Sequence, residues 1–407
     1  MSDLLQVSPY LTCFPSGEAS QIVFAVDELE PVTPEVNPPS GAAFGVIGLS
    51  REVAWHNDVR ALDALHAASR SAVDRRSLEA DFGVAVVADL VGRGWLQRPA
   101  NLCHEYLLTT AQIEVTAHCN WGCRFCPVSV DRKPSATMPM DLYEEIVEKV
   151  AVHDTIRYVT FHFYNEPTLD RFFEERLHVL ARHGLRLRLF TNASNLTERK
   201  IAELRDTGVL HRLVVNLPAL DEQAFAKLTQ SRTYARTVGN LDAALAAGLP
   251  TDIVVNGIGS EGERHVADLR SRYEPLGVNV NATLVSDRAG AVAGEYNQSV
   301  RIAGRLTGCA WPVNHAHFSV KGDMFICCND YYQREVFGNI RQGTLHEIMT
   351  SPLAVKIRRR VFGVEDAPDD YICRTCHDQL PEFPRRQFRP LATFPVLAGC
   401  ARSGGGR

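Results

Sequence analysis

The chain has 407 residues, 45% hydrophobic and 22% charged, which is globular composition and too long for one ordinary domain. Its 43 Lys and Arg against 48 Asp and Glu give a net charge of −5, which argues against nucleic acid or an anionic membrane as main partner. No apolar run approaches membrane-spanning length and the start lacks a signal peptide's pattern, so a cytoplasmic protein is expected, in which eleven cysteines are not for disulfides.

Residues 1–50 hold six acidic residues and no Lys or Arg. Two short strands, "YLTCF" and "QIVFAV", are expected before the Pro-rich connection "PVTPEVNPPSG" (31–41). In "NDVRALDALHAASR", Val59, Leu62 and Leu65 recur at helical spacing, and "VAVVADLVGRGWL" ends in a Gly-Trp-Leu turn. These elements delimit an N-terminal domain over 1–105.

Strands and helices then alternate. "AQIEVTAHCN" begins as a strand, and "IRYVTFHFY" (156–164) precedes a helix near 170–183. "LRLRLFTNAS" (185–194) precedes a helix at 197–206, and "HRLVVNLPA" (211–219) one at 221–228. "TDIVVNGIG" (251–259) precedes a helix at 262–273, and "VNVNATLVS" (278–286) closes the series. Six such strands predict an α/β fold of parallel units, a barrel or an open sheet over 106–300, with chemistry at the carboxyl ends of the strands.

Cys119, Cys123 and Cys126 lie at that end of the first strand. Three thiolates fit an iron–sulfur cubane with one iron left open for a substrate; a zinc knuckle completed by His118 is the competing reading. The loop resembles the CxxxCxxC signature of radical S-adenosylmethionine (SAM) enzymes, including an aromatic residue, Phe125, before the third cysteine. That resemblance implies a partial (β/α)6 TIM-like barrel in which SAM chelates the open iron. Its reductive cleavage there gives a 5′-deoxyadenosyl radical, with the electron coming from a partner such as flavodoxin or ferredoxin. "FYNEP" (163–167) is similar to the family's GGEP-type motif with Tyr-Asn for Gly-Gly, which implies that Asn165 and Glu166 meet the SAM ammonium. "FTNAS" (190–194) is similar to the ribose-binding stretch and implies Thr191 and Asn192; Asn216, ending the fourth strand, is implied at the SAM carboxylate. Taken singly, each of these polar residues also suits a loop or helix cap.

A second cysteine group follows. Cys309, Gly322 and Cys327, then "CRTC" with Cys373 and Cys376, supply four thiolates and resemble the SPASM or twitch auxiliary-cluster extension, placed over 301–380. "VKGDMFICCNDY" (320–331) is expected as a β-hairpin turning at Lys321-Gly322-Asp323, and "FGNI" and "GTLHEIM" followed by a helix match the same extension. Only Cys400 follows the CxxC pair, so one auxiliary [4Fe–4S] cluster is expected, with Cys328 a packed neighbour of Cys327; a structural zinc ribbon is the competing reading. Cys13, Cys103 and Cys400 stand apart and read as buried or incidental thiols. Residues 381–407 read as a Pro/Arg/Gly-rich tail.

The N-terminal pattern resembles the winged-helix-like portion of many peptide maturases, which grips a leader peptide by strand addition; a cap over the barrel is the alternative. Three functions follow: maturation of a ribosomally made peptide by crosslinking or oxidation, dehydrogenation or epimerisation of a sugar or aminocyclitol, and a non-enzymatic iron–sulfur sensor.

Overall fold

The computed structural model describes residues 3–16, 24–25, 31–32, 37–49, 52–69, 71–256, 259–283, 287–292 and 300–376. The tail over 381–407 and most of "QIVFAV" lie outside the described residues. Among the described residues no helix is long and apolar enough to cross a membrane.

The N-terminal unit is built from β1 (Leu4–Val7), β2 (Thr12–Pro15), β3 (Phe24–Ala25), β4 (Pro31–Val32), β5 (Phe44–Ile47), β6 (Val53–His56), α1 (Val59–Ala67), β7 (Val73–Asp74), α2 (Arg75–Phe82), α3 (Val84–Gly92) and β8 (Leu96–Gln97). Two three-stranded antiparallel sheets result, in the orders β7-β1-β8 and β2-β5-β6. The helices start where Asp58 and Asp74 accept the backbone N–H groups of Arg60 and Arg76, the usual role of an Asp N-cap. Their apolar faces (Ala61, Ala64, Leu65, Leu78, Val87 and Leu90) close a core with Leu5, Val46 and Leu96 that belongs to this unit alone. Val87 and Leu90 therefore do not cover the barrel, and Val84 is exposed. The unit docks on the C-terminal extension instead. Tyr10 meets Phe362 edge-on with ring centroids 4.8 Å apart. Arg358 donates to the Cys103 carbonyl at 2.8 Å, and Arg359 to that of Pro99 at 2.7 Å.

The six expected parallel strands are present as β9 (Thr110–Ile113), β10 (Tyr158–Thr160), β11 (Arg186–Thr191), β12 (Leu210–Asn216), β13 (Thr251–Asn256) and β14 (Asn279–Thr283). The helices α4 (Met140–Ala151), α5 (Phe173–Arg182), α6 (Glu198–Thr207), α7 (Glu222–Thr229), α8 (Tyr234–Ala246) and α9 (Gly259–Tyr273) connect them. Of these, α4 and α8 were not anticipated from the sequence. The short α10 (Trp311–Asn314) leads into β15 (His315–Phe318), which pairs in parallel with β9. β16 (Asp323–Phe325) and β17 (Val336–Asn339) continue antiparallel, so barrel and extension share one nine-stranded sheet. α11 (Leu345–Thr350) and α12 (Pro352–Val361) complete the extension.

The hairpin turn falls at the expected residues, but its first strand is 315–318 rather than the stretch beginning at 320. Gly322 takes φ +82°, and a Cβ there would lie 2.9 Å from Leu142 Cδ1, so glycine lets the turn press against α4. Arg341 pairs with Asp141 (2.5 Å) and Glu145 (2.9 Å), pinning the extension to the same helix.

Alternation along the strands divides the barrel. Ala111, Ile113, Val159, Phe161, Leu187, Leu189, Leu213, Val215, Ile253 and Val255 belong to the main core, which they share with the apolar faces of the surrounding helices. The intervening residues point into the lumen and are largely polar: Gln112, Glu114, Thr160, His162, Arg188, Arg212, Asn216, Asp252 and Asn256. Parallel strands buried on both faces are normally apolar on both. This barrel is apolar outside and polar within.

Outside the lumen, Arg176 and Asp170 form an ion pair at 2.5 Å with both side chains fully buried, and Arg176 also donates to the Met138 carbonyl and lies over the Tyr143 ring at 4.6 Å. Asp170→Asn leaves the guanidinium without its counter-charge. A loss of about 3–5 kcal/mol in urea unfolding is expected.

Candidate active site

The loop after β9 is fixed at several points. Arg132 donates to the carbonyls of Cys119 (2.5 Å) and Trp121 (3.1 Å). The Trp121 indole donates to Thr233 Oγ1 at 3.1 Å and packs edge-on against Phe225. Gly122 N–H and Arg124 N–H reach the carbonyls of Thr229 and Leu228 at the end of α7, each at 3.0 Å. Phe125 is buried. The three thiols lie within electrostatic reach of one another. Burial pushes Cys119 up to about 12 and raises Cys123 and Cys126 as well. Such thiols stay protonated until a cation stabilises their thiolates.

Glu166 is the hub beside this loop. Its carboxylate is buried, and its Oε1 accepts from Thr168 N–H (3.0 Å), Thr168 Oγ1 (2.5 Å) and Thr191 Oγ1 (2.6 Å). Its Oε2 accepts from Asn192 N–H at 2.6 Å. Burial raises its pKa against the pull of those hydrogen bonds. Asn192 passes the connection on, donating to Asn120 Oδ1 at 2.9 Å, and Asn120 donates to Ser194 Oγ at 2.8 Å. Glu166, Thr191 and Asn192 thus meet the cysteine loop in one network. Asn165 is differently engaged: its side chain bonds the N–H of Phe163 and the carbonyl of Phe161 at its own strand end. Asn216 lies two strands away and accepts from Asn256 at 2.9 Å. Asn120, Ser194, Asn256 and Arg132 were missed from the sequence; Asn120, Ser194 and Asn256 sat inside quoted stretches, and Arg132 carried no local signal.

Tyr164 holds φ +54°, a left-handed conformation at the position where the GGEP-type motif has glycine. It lines a cavity with Glu114, Cys119, Lys133, Phe163 and Tyr331. Lys133 Nζ lies 4.4 Å from the centre of the Phe163 ring and 4.8 Å from that of Tyr331, and 3.6 Å from Glu114 Oε1.

The second thiol set also gathers. Cys309, Cys327, Cys373 and Cys376 are buried, and the Cys327 thiol is raised by burial and by Cys328, Cys376, Cys373 and Cys309 nearby. Asn329 donates to Cys376 Sγ at 3.4 Å. Among the described residues no cysteine forms a disulfide.

Comparison with known proteins agrees. The radical SAM superfamily model matches residues 113–271, and that of the SPASM iron–sulfur cluster-binding domain matches 309–377. The chain belongs to the radical SAM superfamily. It is similar to the S-adenosyl-L-methionine-dependent 2-deoxy-scyllo-inosamine dehydrogenase of Niallia circulans, at 24% identity over 67% of this chain and 94% of that one. A shorter match, 26% identical over 24% of this chain and 27% of the relative, is to the tungsten-containing aldehyde ferredoxin oxidoreductase cofactor-modifying protein of Pyrococcus furiosus. Among solved structures, Streptococcus suis SuiB bound to precursor peptide SuiA superposes with a TM-score of 0.54 at 12% identity, covering 91% of this chain and 99% of that one; at that identity the likeness concerns fold. This radical SAM enzyme carries a SPASM domain, and its cofactors are SAM and [4Fe–4S] clusters.

Glu166→Gln places an amide N–H₂ among four donors. Unfolding of the SAM-free protein should move to lower urea by about 1–3 kcal/mol, the cost of leaving buried donors unmet.

Proposed function

We propose that the chain modifies a ribosomally made peptide, by crosslinking or oxidising a side chain, and that its N-terminal unit grips the peptide. The observation that carries this reading is the sheet β2-β5-β6. It ends on β6, backed by helices α1–α3 and a core of its own. β6 is tied to α3 by His56 and Asp89 at 3.1 Å, and the His56 ring stacks on Phe44. An edge strand of this kind is a template for an added strand. The unit docks on α12 of the C-terminal extension.

In this reading Cys119, Cys123 and Cys126 hold the SAM-binding cluster, and Cys309, Cys327, Cys373 and Cys376 hold one auxiliary cluster. When bound, the first cluster supplies the electron that cleaves SAM to a 5′-deoxyadenosyl radical, which abstracts a substrate hydrogen. The Glu166–Thr191–Asn192 network orients SAM against the lumen, Asn165 acts through its backbone, and Asn216 with Asn256 closes the far wall. Arg132 and Trp121 hold the loop rigid. A flavodoxin or ferredoxin is the expected electron donor. A second reading, dehydrogenation of an aminocyclitol, is supported by the Niallia circulans relative.

Anaerobic reconstitution should give about eight irons per chain, and replacing Cys119, Cys123 and Cys126 with Ala should leave about four. Zinc without iron at the second site would contradict the auxiliary assignment. Incubation with SAM, dithionite and either a precursor peptide or 2-deoxy-scyllo-inosamine, read by mass spectrometry, separates the two substrates. Two hydrogens lost from the peptide alongside 5′-deoxyadenosine are expected; loss from the aminocyclitol alone would overturn the peptide reading.

A further inference from the structure

One rung of the lumen carries polar atoms that no described residue bonds. Strand register places His317 of β15 beside Gln112 of β9, and Gln112 beside Thr160 of β10. All three residues are at least nine-tenths buried, at 1%, 3% and 3% exposure. His317 Nδ1 and Nε2, Gln112 Nε2 and Thr160 Oγ1 have no hydrogen-bond partner among the described residues. Above the rung, His162 Nδ1 and the Tyr164 hydroxyl are buried in the same condition. Neighbouring aromatic rings pack against the two histidines, Phe190 at 4.2 Å from His162 and Phe325 at 5.6 Å from His317, and offer them no hydrogen bond.

Buried polar atoms are nearly always bonded, and a contiguous group of exceptions asks for a ligand. Its chemistry follows from the inventory of donors and acceptors. The Gln112 amide N–H₂ can only donate. A neutral imidazole offers one donor and one acceptor, and the Thr and Tyr hydroxyls offer both. Burial holds His162 near about 4 and His317 near about 3, so both rings are neutral at pH 7. A carboxylate would leave the acceptors unmet, and an ammonium would leave the donors unmet. A hydroxyl, which both donates and accepts, suits the set.

We infer that the rung His317–Gln112–Thr160, with His162 and Tyr164 above it, is a pocket for a neutral hydroxyl-bearing part of the substrate, lying beneath the SAM-binding end of the barrel. The inference does not depend on whether that hydroxyl belongs to a peptide side chain or to a cyclitol.

The test uses the reconstituted holoenzyme with SAM and two isosteric variants, Thr160→Val and Gln112→Met. The probes are myo-inositol, an acetylated serine-containing pentapeptide amide, and n-propylamine and propionate as charged controls. Because each variant removes a buried unbonded group, the urea midpoint without probe should stay level or rise. Binding of at least one hydroxyl probe, measured calorimetrically, should weaken roughly tenfold in each variant, the value of one neutral hydrogen bond. The charged controls should not bind more tightly than the hydroxyl probes. A fall in midpoint for both variants would assign the rung a structural role and overturn the inference. Absence of hydroxyl-probe binding to the parent enzyme, or equal binding by parent and variants, would overturn it too. Binding of myo-inositol without the peptide would uphold the pocket and count against the peptide reading.

Discussion

The two-faced character of the parallel strands is the constraint on which the rest depends. Ile113, Phe161, Leu189 and Val215 belong to the core shared with the helices, and that burial supplies the barrel's stability. The opposite faces then bring Gln112, Thr160, Arg188 and Asp252 into a space shielded from bulk water. Polar groups held there cost stability unless something bonds them. Some are met within the protein, as Arg212 is by Asp252 at 3.5 Å. Others on the β15–β9–β10 side find no partner among the described residues.

The carboxyl end of the barrel follows from the same constraint. Glu166, a carboxylate out of water, is stable there because four donors from two consecutive loops converge on it. One buried charge thereby fixes the ends of β10 and β11, and through Asn192 and Asn120 it reaches the cysteine loop. The extension adds its strands to the same sheet and is tied to α4 by ion pairs, so the two thiol sets sit on one rigid frame.

Much of this was legible in the sequence because it is written in local pattern. The six strands alternate at period two; Cys119, Cys123, Cys126, Glu166 and Asn192 follow strand ends, and Thr191 closes β11. What was not legible depends on distant contacts. Arg132 gives no sign in sequence of reaching back to Cys119, nor β15 of pairing with β9, some two hundred residues earlier. The polar residues of the lumen were visible in the strands, but the register that sets His317 beside Gln112 comes only from folding. The stretch "VAVVADLV" was legible as apolar, yet the partners of Val87 and Leu90 lay within the N-terminal unit.

The central claim is that the three-cysteine loop holds a cluster with one iron open to SAM, on a frame that also carries a separate auxiliary cluster. Electron paramagnetic resonance of the dithionite-reduced holoenzyme, with and without SAM, tests it most directly. SAM should shift the signal of the parent enzyme and leave unshifted the residual signal of the variant lacking Cys119, Cys123 and Cys126. A parent spectrum indifferent to SAM, or a variant whose remaining signal still responds to it, would contradict the account.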